Sequence, residues 1–211
     1  MRALPHITIP VLLALSAGIY AGDSFFRESP LSGRIPASLR AKYPQPILEQ
    51  DDALFDRDST GVSKFANVMC NDTSCVVFVV DPKTKGDSTL AWVSGPCIGH
   101  LQSFFIEDLN HDGKEEFALL TNVGFGVKRP VQRLYIWRWE DSTATLLRPC
   151  GDTTKESLET ETLFSFEDVD GDGSKEIIAR QIVSGGIARN GSASQLADTY
   201  RWNGSAYCLK R

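Results

Sequence analysis

A thirteen-residue acidic segment occurs twice in this chain, sixty residues apart, and that duplication constrains the fold more than any other feature. The first copy reads Phe105-Ile106-Glu107-Asp108-Leu109-Asn110-His111-Asp112-Gly113-Lys114-Glu115-Glu116-Phe117. The second reads Ser165-Phe166-Glu167-Asp168-Val169-Asp170-Gly171-Asp172-Gly173-Ser174-Lys175-Glu176-Ile177. An apolar stretch follows each, Ala118-Leu119-Leu120 and Ile178-Ala179, then an aromatic-Arg-Trp segment, Trp137-Arg138-Trp139 and Tyr200-Arg201-Trp202, then a cysteine, Cys150 and Cys208. Landmarks that recur in the same order predict one supersecondary unit used twice. A decayed third copy precedes them: Asp56 to Phe65 aligns without a gap with Asp108 to Phe117, and Trp92 and Cys97 follow. There Thr60 stands in place of the third acid and Lys64 in place of the glutamate.

Between these landmarks the chain reads as strand and loop. Residues 102–107, 134–139, 163–167 and 200–202 are strand-like, as are the flanks Phe65–Met69 and Val76–Val80 of a turn-rich centre. The one helical candidate is Pro36 to Tyr43, with proline at its first position and Pro44 and Pro46 ending it. Residues 121–130 and 184–194 read as loops. The expected organisation is a signal segment at 1–21, an extension at 22–50 and an all-β repeat domain at 51–211, its units near 56–97, 108–150 and 168–208.

The acidic loops have the chemistry of a calcium site. Calcium takes six to eight oxygen ligands, and carboxylates at alternating positions of a tight loop converge on one point. Asp108, Asn110 and Asp112 have that spacing, as do Asp168, Asp170 and Asp172. Gly113 and Gly173 follow where the chain must turn sharply. The carbonyls of Lys114 and Ser174 come next as candidate ligands, and Glu116 and Glu176, ninth in each loop, close the shell. An EF-hand is excluded, because position twelve is Leu119 or Ala179 rather than glutamate and the flanks are strands. Magnesium, which keeps its waters, fits less well.

These loops resemble the calcium-binding D-x-[DN]-x-D-G-x-x-[DE] hairpins of FG-GAP and VCBS-type repeats. That family builds β-propeller blades in integrin α-subunits and in many exported bacterial proteins. The resemblance covers roughly residues 100–211, and more weakly 56–97; Gly124-Phe125-Gly126 is the nearest echo of the FG-GAP tripeptide. It implies two or three blade-like antiparallel repeats. Because a closed propeller needs at least four blades, the expected architecture is a partial β-propeller or a compact β-sandwich.

The N-terminus reads as an export signal: Arg2, an apolar run from Ile7 to Tyr20, and Ala21 before the cleavage point. The run is too short to span a bilayer, and no second such run follows, so no membrane span is expected in the mature chain. Export brings oxidising conditions, and five cysteines lie beyond the signal. Cys70 and Cys75 flank a hairpin turn and are expected to be bridged. Of Cys97, Cys150 and Cys208, two pair and one stays free, with Cys150–Cys208 the preferred choice. A secreted or periplasmic location follows.

The net charge of −5 excludes a generic nucleic-acid binder, which needs a basic face. No G-x-S-x-G or H-E-x-x-H motif occurs, and of three histidines His6 leaves with the signal, His100 reads as structural and His111 as solvent-facing. A non-enzymatic binding or scaffold protein is therefore expected. The alternatives are a periplasmic inhibitor or immunity protein and a hydrolase with an unrecognised site. Lys128, Arg129 and Arg133 offer a small basic cluster to an acidic protein or glycan partner. The sequons at Asn71, Asn190 and Asn203 are incidental in a bacterial protein.

Overall fold

The computed structural model describes residues 35, 37–44, 53–55, 64–81, 83, 90–124, 131–150, 155–160, 163–182 and 195–210. The export signal, the loop at 56–63, the basic residues Lys128 and Arg129 and the segment 184–194 lie outside these residues. The fold is all-β. Strands β1 (Ala53–Phe55), β2 (Lys64–Cys70), β3 (Ser74–Val80) and β4 (Leu90–Val93) form one antiparallel meander, with β5 (Cys97–Ile98) also paired to β3. A second meander comprises β6 (His100–Glu107), β7 (Glu116–Val123), β8 (Val131–Glu140) and β9 (Thr143–Leu146), with β10 (Leu158–Thr160) on the other part of β8. The third comprises β11 (Leu163–Glu167), β12 (Glu176–Ile182), β13 (Gln195–Trp202) and β14 (Tyr207–Leu209).

The three sheets share one register. Phe55 pairs with Lys64, Glu107 with Glu116 and Glu167 with Glu176, so each first hairpin closes over a connection of the same length. The gapless alignment of Asp56–Phe65 with the two acidic segments has the same phase as this pairing. The sheets do not close into a barrel; they pack in sequence, an arrangement compatible with a partial propeller or a sandwich.

Alternation along the strands assigns each side chain to an interface. In β7, Phe117 and Leu119 face the first sheet with Phe55, Val77 and Val79, whereas Ala118 and Leu120 face the third with Ile177 and Tyr207. A sheet covered on both faces has no need of polar alternation, which is why β7 reads as a continuous apolar run. In β3, Cys75, Val77 and Val79 join the first interface, while Val76, Phe78 and Val80 pack beneath Ile35, Leu39 and Tyr43. The helix α1 (Ala37–Lys42) thus covers the outer face of the first sheet. It lies within the predicted Pro36–Tyr43 span.

The outer face of the third sheet mixes polar and apolar side chains, with Ile178 buried and Leu163 exposed. One row aligns Ser165, Ile178 and Thr199, the next aligns Leu163, Arg180 and Ala197, and Arg180 reaches Glu167 at 2.9 Å. Among the described residues, the helix covers the outer face of the first sheet.

Two disulfides form, Cys70–Cys75 and Cys150–Cys208, and Cys97 is a buried free thiol. Residues 121–123, read from sequence as the start of a loop, continue β7: the Thr121 side chain is buried and donates to the Ile98 carbonyl at 2.7 Å. No helix among the described residues is long and apolar enough to cross a membrane.

Candidate metal centre

Each acidic loop is wound by its own carboxylates. Asp108 accepts from the backbone N–H of Asp112 (3.1 Å) and of Gly113 (2.9 Å) through its two oxygens. Asp168 accepts from Gly171 (2.7 Å) and Gly173 (3.1 Å). Asp112 accepts from Lys114 N at 3.0 Å and Asp172 from Ser174 N at 2.8 Å. Asn110 and Asp170 accept from the N–H two residues on. These bonds turn the side chains inward and satisfy amides that no ladder reaches.

The ninth-position glutamates anchor the loops from behind. Glu116, fully buried, accepts from Leu109 N at 3.0 Å, and Glu176 accepts from Val169 N at 2.8 Å. Burial pushes the Glu116 carboxyl up to about 7, against the lowering effect of the Leu109 N–H and the Arg138 guanidinium.

The loops differ in the residue at their third position. In the second, one oxygen each from Asp168, Asp170 and Glu176 lies within 4.8 Å of the others, a cluster of hard donors. In the first, Asn110 stands where Asp170 does, and its amide nitrogen donates to Glu116 at 2.9 Å. A neutral side chain there removes one charge and spends one glutamate oxygen inside the protein. Asp172 is not among the three converging carboxylates. The Ser174 hydroxyl donates to the Asn110 carbonyl at 3.0 Å, and Lys175 N donates to the Leu109 carbonyl at 2.7 Å. The two loops therefore abut, and the His111 ring, though exposed, lies over Gly173.

An arginine from the third strand of the second and of the third meander completes the cluster. Arg138 faces Glu116 directly across the β7–β8 ladder, with Nε at 3.4 Å from Glu116 and Nη2 at 3.0 Å from Asp112. Its guanidinium stacks over Trp202 of the third sheet, 4.8 Å from the ring centre. Arg201 reaches Glu176 at 3.2 Å and pairs with Asp170, with Asp172 at 3.7 Å. Beneath the first loop the Tyr207 side chain is buried, and burial together with the nearby carboxylates raises its phenol pKa. Sequence reasoning used the aromatic-Arg-Trp segments as repeat markers and missed both arginines as site members. The available signal was an arginine at the same place in both copies, beyond a loop of concentrated negative charge.

Comparison of the chain with protein-family models, with curated proteins and with solved structures gives no match.

Proposed function

We propose that this chain is an exported, non-enzymatic binding or scaffold protein whose β-repeats are stabilised by calcium, with the second acidic loop as the principal site. The observation that carries this reading is the convergence of Asp168, Asp170 and Glu176 within 4.8 Å. Oxygen-only donors favour a hard ion that accepts irregular coordination. The resemblance of both loops to FG-GAP and VCBS hairpins supports calcium, and two disulfides support an oxidising compartment outside the cytoplasm. Arg201 draws on the same carboxylates, so ion and guanidinium compete, and the affinity belongs in the weak range of extracellular modules, about 10⁻⁴ to 10⁻³ M.

The test is calorimetric titration of the mature chain with calcium and magnesium, alongside a thermal melt with chelator. Calcium heats at millimolar concentration that Asp168→Ala abolishes at one site support the proposal. Coincident melting curves with and without chelator, and no heat of binding, overturn it.

A further inference from the structure

Three of the five cysteines occupy one rung of the first sheet. Cys70 of β2 pairs with Cys75 of β3, and Cys75 pairs on its other side with Cys97 of β5. All three belong to the same buried cluster, so their side chains share one face. The disulfide joins Cys70 to Cys75, and Cys97 is the free thiol.

The hydrogen-bond phase of the ladder distinguishes the two pairings. Asn71 N donates to Ser74 O at 2.8 Å, which makes Cys70 and Cys75 the next, non-hydrogen-bonded pair, and their Cα atoms are 4.0 Å apart. Gly99 N donates to Thr73 O at 2.9 Å, which puts Cys75 and Cys97 two residues on, in a hydrogen-bonded pair. Such pairs hold their Cα atoms about 5.5 Å apart, inside the roughly 4.4–6.8 Å that disulfides span. The Cys75 sulfur lies 3.6 Å from the Gly99 carbonyl oxygen, against the segment that carries Cys97. That segment is short, two residues, and is held by Ile98, whose N–H donates to the Tyr135 hydroxyl at 3.0 Å and whose carbonyl accepts from Thr121 at 2.7 Å.

We propose that Cys75 has two bonding partners in the folded chain, Cys70 and Cys97, and that Cys97 resolves the hairpin bridge by intramolecular exchange. The Cys97 thiolate attacks the Cys75 sulfur, a Cys75–Cys97 bond forms, and the Cys70–Cys75 bond breaks. Cys70 leaves as thiolate and takes up the proton that Cys97 gave. One disulfide and one thiol are present before and after, so no oxidant or reductant is consumed. The exchange moves the free thiol from β5 to β2 within the same buried cluster, and ties β5 to β3. Burial of Cys97 restrains the reaction in the closed fold, so it proceeds when β5 opens.

The experiment is non-reducing peptide mapping, with cleavage before Asp72 to separate Cys70 from Cys75. Cys70→Ser, refolded in a glutathione redox buffer, acid-quenched and then labelled with iodoacetamide in denaturant so that buried thiols react, is expected to yield a Cys75–Cys97 linked peptide and no label on either cysteine; each labelling in this experiment is done in the same way. Label on both cysteines in the folded variant overturns the proposal. The wild-type chain serves where that variant fails to fold. Held in the same buffer under mild warming, it is expected to lose label at Cys97 and gain it at Cys70, and Cys97→Ser is expected to show no label at Cys70. Label confined to Cys97 in the wild type under all conditions overturns the exchange.

Discussion

His111 in the first acidic loop covers Gly173 in the second: a Cβ at Gly173 would come within 3.1 Å of the His111 ring. Gly173 has φ +92° and its counterpart Gly113 has φ +82°, but nothing lies within 4 Å of a Cβ at Gly113. The two glycines thus share a backbone requirement and differ in one neighbour. Alanine at Gly113 is expected to cost the left-handed backbone penalty alone, roughly 1–2 kcal/mol. Alanine at Gly173 is expected to cost more, and His111→Ala is expected to remove the excess. Urea unfolding of the three single variants and the Gly173→Ala/His111→Ala double variant checks this, and equal costs at the two glycines refute the loop-on-loop contact.

Arg201 supplies a second prediction. It is paired with Asp170 and Glu176 and its side chain is 41% exposed, so solvent screens it. An exposed pair of this kind is worth roughly 0.2–1 kcal/mol. Arg201→Gln is expected to lower the melting temperature in chelator and to tighten calcium binding by at most about fivefold. At ten times Kd, calcium would add about 1.4 kcal/mol, so the variant should gain more from calcium than the wild type does. Weaker calcium binding in the variant would show that the guanidinium supports the site rather than competes for it.

The fold was legible wherever one residue reports its own surroundings. The apolar run Val76–Val80 announced a strand, the Asp-x-Asn/Asp-x-Asp-Gly spacing announced the loops, and the turn residues between Cys70 and Cys75 announced a bridged hairpin. The arginines were marked by their repetition but their partners were not legible, because the register that places Arg138 opposite Glu116, twenty-two residues away, forms only in the sheet. Thr121 was misread for a related reason. Thr121 opens a stretch with Asn122, Gly124 and Gly126 that reads as loop, but a carbonyl from the neighbouring β5 accepts its hydroxyl and lets it be buried in β7. The abutting loops were equally hidden, since Ser174 reaches Asn110 only once the second and third sheets have packed.

Cys97 makes a prediction at high pH. Burial, reinforced by Glu156, pushes its thiol up to about 12 from an ordinary value of 9.0, with Ser94 opposing. The folded state holds the proton over a window in which the unfolded chain has lost it. Stability is therefore complete below about pH 9 and falls as pH rises toward 12, by about 1.4 kcal/mol per unit within that window. Cys97→Ala is expected to flatten this slope relative to the wild type in urea melts across the alkaline range, and identical slopes refute it. The same burial predicts that native Cys97 resists iodoacetamide near neutral pH.

Leu109 and Val169 occupy the same position in their loops and meet opposite surroundings. Leu109 is fully buried against Ile177 and Tyr207 of the third sheet, and its carbonyl accepts Lys175 N. Val169, at the end of the stack, is 59% exposed. Truncating a buried leucine removes transfer energy and leaves a cavity, at about 2–5 kcal/mol. An exposed valine loses little, and surface changes of this kind stay within about 0.5 kcal/mol. Leu109→Ala is therefore expected to destabilise the chain severely and Val169→Ala hardly at all, although sequence pattern treats the two as equivalent. Urea unfolding of both variants decides the matter. A large cost at Val169 would mean that this loop is covered in solution.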